Sequence, residues 1–324
     1  MFQLRQPEAN AMLISLIVPC YNEEESLPIL YGALCDVREQ VSDREFEFIF
    51  VNDGSRDKTA EVIRDLASKD KCVKYVFFSR NFGKEAAMYA GLEKAQGDYV
   101  AILDADMQDP PSLIPSMIES LDKDEADIVA ARRVTRKGEP PIRSFFARTF
   151  YKLINKMCDV EIADGARDFR LMRRCVVDAI ISLNERQRFS KGIFAWVGFR
   201  TKWVEHENVE RVAGETKWSF WKLFRYAIDG IVAFTTAPLR FATYCGFAFA
   251  TAAFVYLVYY FIRAVILQIY NQVPGYPSLL CFILFIGGLI LMALGLLGEY
   301  IGRIFIEVKR RPQYVVSEEE KSDN

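Results

Sequence analysis

Asp104, Asp106 and Gln108 alternate along Leu103-Asp-Ala-Asp-Met-Gln-Asp-Pro110, directly after the apolar run Val100-Ala-Ile-Leu103. Such a run suits a parallel strand covered on both faces. In extended chain, residues two apart point to the same side, and Pro110-Pro111 end the strand. Carboxylates at the carboxyl end of a parallel strand lie where open α/β sheets bind ligands. Two hard oxygen ligands suit Mg²⁺ or Mn²⁺, which complete their shells with water and substrate phosphates. An Asp-x-Asp in this place also serves as a turn or helix cap, so its surroundings decide.

Composition removes several alternatives. A net charge of −2 gives no basic field for nucleic acid. The single histidine, His206, lies in an alternating segment that reads as an ordinary strand, which excludes a His-rich zinc site and nearly excludes a Ser-His-Asp triad. The seven cysteines form no Cys-x-x-Cys pair and read as reduced thiols facing a cytosol. Phosphate or carboxylate chemistry remains.

The elements around the acidic stretch alternate. Met12–Pro19 reads as a first strand rather than a signal core, being short and lacking a small-residue cleavage site. A helix follows through Val37, then strand Phe46–Val51, helix Lys58–Ser68, strand Val73–Ser79, helix Glu85–Ala95, the acidic strand, and strand Ile128–Arg132. This order predicts an α/β fold with a parallel, doubly wound sheet. Three of its loops meet on one rim, carrying Tyr21 with Glu23, Asp53, and Asp104 with Asp106. An acid after strand two can accept hydrogen bonds from a base or ribose, and Lys84 with the amides near Gly83 can meet phosphate at a helix start.

These residues carry a resemblance. Ile17-Val-Pro-Cys-Tyr-Asn-Glu23, Val51-Asn-Asp-Gly-Ser55 and Leu103-Asp-Ala-Asp-Met-Gln-Asp-Pro110 resemble the family 2 glycosyltransferases of the GT-A fold. More narrowly they resemble the polyprenyl-phosphate sugar transferases, which include dolichyl-phosphate mannose synthase and bactoprenol glucosyltransferases. The resemblance implies that Pro19, Tyr21, Glu23 and Asp53 hold the nucleotide. It also implies that Asp104, Asp106 and Gln108 hold the metal and diphosphate.

The middle third would supply the acceptor side. Arg143–Met157 reads as an amphipathic helix with a basic face, for lipid or for solvent. In Asp164-Gly-Ala-Arg-Asp-Phe-Arg-Leu171, Asp168 and Arg170 alternate around Phe169, as a structural ion pair would. The resemblance assigns Asp168 and Arg170 to the reaction centre with Asp106, Asp168 being near the acceptor. Lys191 beside Gly192 allows close approach to an anion. Val209-Glu-Arg-Val-Ala-Gly-Glu-Thr-Lys-Trp218 matches the family's Arg-x-x-Gly-x-Ser/Thr-Lys-Trp/Tyr loop. There Arg211, Thr216 and Lys217 would meet phosphate and close over it.

From Trp218 the character changes. Phe220, Phe224, Ala227 and Ile231 share one helical face opposite Lys222, Arg225 and Asp229, which suits an interfacial helix or packing on the catalytic domain. Phe241–Ile262 and Leu279–Tyr300 each approach the ~20 residues that cross a bilayer. Cations cluster outside this pair, while the loop between it has only Arg263, so positive-inside logic puts catalytic domain and tail in the cytoplasm. We therefore divide the chain into a GT-A domain (1–215), an interfacial segment (216–238), a transmembrane hairpin (239–302) and a tail (303–324) whose Ser317–Asn324 reads as acidic and disordered.

The expectation is a metal-dependent, inverting transferase of the inner or plasma membrane. It would move a sugar from a UDP-sugar to undecaprenyl or another polyprenyl phosphate, with Mg²⁺ or Mn²⁺ as cofactor and membrane lipid as partner. Phe78–Ala87, Arg188–Gly192 and Lys217–Phe220 look most like the branch that makes lipid-linked N-acetylglucosamine, with glucose next. A flippase, a downstream glycosyltransferase and self-association as a homo-oligomer are the further partners this reading allows. Three rivals stand beside it. A processive polysaccharide synthase would carry Gln-x-x-Arg-Trp and more spans, which this sequence lacks. A nucleotidyltransferase would release pyrophosphate, and a non-catalytic membrane scaffold would not need Asp104 or Asp106.

Overall fold

The structure is a computed structural model that describes residues 12–133, 163, 165–183, 185–206, 235–262 and 276–320. Strands β1 (Leu13–Cys20), β2 (Glu45–Asn52), β3 (Val73–Phe78) and β4 (Tyr99–Ile102) are parallel neighbours in the order β3-β2-β1-β4. Their apolar runs are explained by burial on both faces. Phe46, Phe48 and Phe50 of β2 enter one core with α1 (Leu27–Gln40), α2 (Thr59–Lys69) and α4 (Ile114–Asp122). Ile49 and Val51 enter the other with α3 (Lys84–Lys94).

The order of strands reverses between β1 and β4, and the crevice at such a reversal is where α/β sheets bind ligands. Beyond β4 lie β6 (Ala166–Arg173), β5 (Ile128–Arg133) and β7 (Thr201–His206), completing the order β7-β5-β6-β4-β1-β2-β3-β8. The sheet is thus mostly parallel, as expected, but β6 runs antiparallel between β4 and β5. Its first residues consequently lie beside the carboxyl ends of its neighbours. Helices α5 (Arg174–Ser182) and α6 (Ser190–Trp196) follow β6 in the chain and pack on the α3 face, through Val176, Val177, Ile180, Ile193 and Phe194.

Two long apolar helices follow, α7 (Ala237–Phe261) and α8 (Tyr276–Lys309). Leu239–Tyr256 and Phe285–Lys309 are long and apolar enough to cross a membrane, and neither buries any of that length inside the protein. Phe241, Tyr244, Phe247, Leu291 and Met292 are each at least 70% exposed. In water that surface would be costly; in lipid it is not. The helices touch where Phe249 meets Phe285 edge to face, with ring centroids 5.9 Å apart.

The tail departs from the sequence expectation. Helix α8 continues beyond 302 to Lys309, and β8 (Val316–Glu319) adds to the sheet as an edge strand antiparallel to β3. Ser317–Glu319 is therefore ordered rather than disordered, because β3 offers an unpaired edge and Arg64 and Lys94 offer partners to Glu318 and Glu319. The expected helices over 143–157 and 218–231 lie outside the described residues.

Helix α3 approaches β1 through Gly91, where an added Cβ would fall 2.2 Å from Ile17 Cγ2. Gly91→Ala should lower unfolding stability in detergent by about 1–3 kcal/mol through overpacking. Gly32→Ala, on the exposed side of α1 with nothing within 4 Å, should instead gain up to about 1 kcal/mol. Chemical unfolding of both variants tests this packing, and equal effects would refute it.

Candidate active site

The rim is built by two loops tied to each other. After β1, the Asn22 N–H donates to Ser55 Oγ at 2.9 Å and Glu23 N–H to Thr59 Oγ1 at 2.8 Å. In return, Arg56 N–H donates to Asn22 Oδ1 at 2.9 Å and Lys58 N–H to Glu24 Oε2 at 2.9 Å. These bonds hold the loop that carries Tyr21 and Glu23 against the loop that follows Asp53. Glu23 also accepts from Ser26 Oγ at 2.7 Å, ahead of α1.

Asp53 is buried and does something the sequence did not announce. Its two oxygens accept the N–H groups of Phe82 at 2.6 Å and Gly83 at 2.9 Å. Burial raises its carboxyl, and these amides oppose the rise. Gly54 has φ +64°, and a Cβ there would fall 2.4 Å from the Arg80 carbonyl carbon. Only glycine lets this third loop close on the second. Asp53 therefore fixes the loop that precedes α3.

That loop delivers Lys84. Its Nζ lies 2.6 Å from Asp104 Oδ1 and 2.5 Å from Asp168 Oδ2. The antiparallel register pairs Ile102 with Arg170. Asp104 follows Ile102 by two residues and Asp168 precedes Arg170 by two, so both lie just beyond this last pair, on the same side of it. Burial would lower the Lys84 ammonium, but the two carboxylates hold it well above its ordinary value. Burial would raise Asp168, but Lys84, with Lys191 and Arg170 adding, holds it well below the carboxylate range. Asp104 stays raised by burial and by Asp168 and Asp106, against the pull of Lys84.

The acidic loop turns at Met107, with φ 58°, and Gln108 N–H donates to Asp106 Oδ1 at 3.2 Å. The Gln108 side-chain oxygen accepts from Arg167 at 3.0 Å. Arg167 also grips buried Asp109, at 3.0 Å, and Asp109 takes His206 Nε2 at 2.9 Å from the end of β7. Arg167 and His206 hold the Asp109 carboxyl below its ordinary value despite burial. These three residues escaped the sequence reading. His206 looked like part of an ordinary strand, and no spacing links it to Asp109.

On the other side of Asp168, buried Arg170 donates to the backbone carbonyls of Arg167 (2.7 Å) and Asp168 (3.3 Å). Its guanidinium carbon stands 3.5 Å from the centroid of the Phe194 ring. Burial pushes it down to about 10, against Asp168 and Glu85. The Asp168 and Arg170 side chains are thus not a simple ion pair, since Asp168 pairs with Lys84. Glu85, also unforeseen, accepts both the N–H and the hydroxyl of Ser190, the first residue of α6 and the neighbour of Lys191. Arg211, Thr216 and Lys217 lie outside the described residues.

The donor set can be judged against a divalent cation. Among the described residues no group of three or more acidic, His or Cys side chains converges on one point. Asp104 and Asp106 nevertheless fit an ion that keeps water and takes substrate phosphates, because their oxygens are hard and crowded with negative charge. Gln108 offers an oxygen already shared with Arg167.

Sequence comparison addresses the whole chain. The pattern described as "Glycosyl transferase family 2" matches residues 15–181, and that described as "GtrB C-terminal hairpin" matches residues 237–304. A bactoprenol glucosyl transferase of Shigella phage SfV is 46% identical, covering 96% of this chain and 100% of that one. The chain is a family 2 glycosyltransferase. A prophage bactoprenol glucosyl transferase homolog of Escherichia coli is 45% identical over 96% of this chain and 100% of its own. A putative glycosyltransferase of Bacillus subtilis is 43% identical over 94% and 92%. This glycosyltransferase accordingly has the GT-A, Rossmann-like domain expected, followed by two apolar helices that associate it with a membrane.

Burial pushes the Glu85 carboxyl from its ordinary 4.5 up to about 7, with the Ser190 hydroxyl opposing and Asp168 adding to the rise. The folded protein therefore holds this proton more tightly than the unfolded chain. The stability it contributes is full below about pH 4.5 and is lost as pH rises through about 7. Glu85→Gln cannot ionise, so its unfolding free energy should fall less between about pH 5 and about pH 8 than that of the wild type. Parallel pH dependences in the two proteins would contradict the assignment.

Proposed function

We propose that this glycosyltransferase moves glucose from UDP-glucose to the phosphate of a polyprenol such as undecaprenyl phosphate, with inversion, at the cytoplasmic face of the membrane. One observation carries the reading: a single ammonium, Lys84, reaches Asp104 on the acidic loop and Asp168 on β6. Donor-side and acceptor-side acids are thereby within reach of one reacting centre. Two apolar helices attached to that domain suit an acceptor that lives in lipid. Glucose is preferred over N-acetylglucosamine because the phage and prophage relatives carry it in their names. Cations outside the hairpin and few within its loop favour a multi-pass topology with catalytic domain and tail cytoplasmic.

In the reaction, an acceptor phosphate oxygen forms a bond to the anomeric carbon while the bond from that carbon to the UDP oxygen breaks, its electron pair leaving with UDP. Asp104 and Asp106 would hold Mg²⁺ or Mn²⁺, with Gln108 supporting the loop. When bound, that ion neutralises the leaving diphosphate. Tyr21, Glu23 and Asp53 line the nucleoside end, beside Pro19. Lys84 links the acids, so it can pass from them to phosphate oxygens as substrates enter. Asp168, kept ionised, orients the acceptor or takes a residual proton, and Arg170 backs it. Lys191, Arg211, Thr216 and Lys217 would meet the phosphates. The acceptor phosphate is already ionised near neutral pH, so a strong base is unnecessary. A lipid-linked sugar made on this face calls for a flippase and a second transferase across the membrane.

The test is transfer of label from a panel of UDP-sugars to undecaprenyl phosphate in detergent, followed by organic extraction. Label should enter the lipid phase from UDP-glucose, and EDTA or Asp106→Asn should reduce it by about 100-fold or more. Release of pyrophosphate would instead identify a nucleotidyltransferase. Metal-dependent UDP binding without transfer would favour a scaffold.

A further inference from the structure

We propose that the segment Glu185–Lys191 is a tether that sets the height of the acceptor side of the site above the membrane, with Glu307 and Glu85 as the positioning residues at its ends. The proposal rests on the polyprenyl-phosphate reading above. It starts from helix α8, whose 34 residues span roughly 51 Å at 1.5 Å per residue, against about 30 Å of hydrocarbon. The charged residues of α8 all lie in its last turns, at Glu299, Arg303, Glu307 and Lys309, so this is the end that stands outside the lipid.

Glu307 Oε1 accepts the backbone N–H of Arg186 at 2.7 Å and of Gln187 at 3.3 Å. The Arg186 guanidinium donates to the Arg311 carbonyl at 2.6 Å, and the Gln313 side chain donates to the Glu185 carbonyl at 2.9 Å. One end of the segment is thus bound to the membrane exit by its own backbone. Three residues on, the Ser190 N–H donates to Glu85 at 3.1 Å and its hydroxyl donates to the same carboxylate. That binds the other end to the first turn of α3, next to Lys84.

The stretch between is stiff. Arg188 donates to the carbonyls of Leu183 (2.6 Å) and Ile180 (3.3 Å) and lies over the Tyr89 ring, while Phe189 and Ser190 are buried. Beyond it, Lys191 adds positive charge near Asp168, and Phe194 lies under Arg170. Three residues span at most about 11 Å, so a shift at Glu307 has little slack in which to be lost before Lys191. An acceptor whose phosphate is held at the lipid surface by a long tail cannot adjust its height. A short, soluble acceptor can.

The experiment uses the full chain in phosphatidylethanolamine–phosphatidylglycerol vesicles, with undecaprenyl phosphate or a ten-carbon prenyl phosphate as acceptor. Glu307→Ala should raise KM for the long acceptor about tenfold, as loss of a charge-assisted hydrogen bond would, with kcat and the short-acceptor KM unchanged. Glu307→Gln, which keeps an accepting oxygen, should recover most of the loss. Glu85→Ala should raise KM for both acceptors but not for UDP-glucose, and Glu85→Gln should recover most of that. Amide hydrogen exchange provides a readout independent of turnover. Glu307→Ala should speed exchange at Ser190 and Lys191 as well as at Arg186 and Gln187. Equal KM changes for the two acceptors, or an exchange change confined to Arg186 and Gln187, overturns the tether. If the wild type transfers to neither acceptor, the proposed function fails, and exchange alone decides the tether.

Discussion

The ammonium of Lys84 is the constraint around which the site is organised. Asp104 lies in the loop just after β4 and Asp168 in the antiparallel β6, both next to the last registered pair of the two strands, Ile102 with Arg170. Two half-buried carboxylates that share one ammonium would repel without it, and one would take up a proton. A cation between them keeps Asp168 ionised and offsets part of the burial cost of Asp104. Everything that fixes Lys84 therefore bears on both acids. The Phe82 and Gly83 amides that precede it are held by Asp53. Asp53 is in turn set by β2, and Gly54 clears the space for the loop.

The site is therefore a chain of dependencies rather than a collection of acids on a rim. β1 and β2 loops hold one another, β2 holds the β3 loop, and that loop places the lysine that holds β4 and β6 together. A lysine in this position also gives the acidic loop a reason to change when substrate arrives. Under the proposed function, phosphate oxygens and a divalent ion would compete for the same partners, and exchange of Lys84 from carboxylate to phosphate would need no rearrangement of the sheet.

Much of this was legible in the chain. The strands read as Met12–Pro19, Phe46–Val51 and Ile128–Arg132 are found at Leu13–Cys20, Glu45–Asn52 and Ile128–Arg133, because fully buried strands leave continuous apolar runs bounded by turn residues. Asp104 and Asp106 stand out by their place after such a run. What periodicity could not reveal was pairing. The insertion of β6 between β4 and β5 is a choice of neighbours, and only that choice brings Asp168 to Asp104. Glu85 and Ser190 are 105 residues apart, and although each lies in a run that carries the resemblance, nothing in either run says that the two touch. The strand Val316–Glu319 was illegible for a different reason. An acidic segment cannot fold alone, but an edge strand tolerates charge on its open side and takes its hydrogen bonds from β3.

Asp109 shows how far such dependence extends. It follows Gln108 directly, so whatever fixes it also fixes the exit of the acidic loop. Its partners are Arg167, one residue before Asp168, and His206, the last residue of β7. His206 Nδ1 is buried without a hydrogen-bond partner among the described residues, so its one polar commitment is to Asp109. The chain leaving β7 at His206 is the one that carries Arg211, Thr216 and Lys217 a few residues later. The entrance to that stretch is thus pinned to the loop bearing Asp104 and Asp106 through a single buried carboxylate. The acids proposed to hold the metal and the cations proposed to meet phosphate are thus tied at their roots.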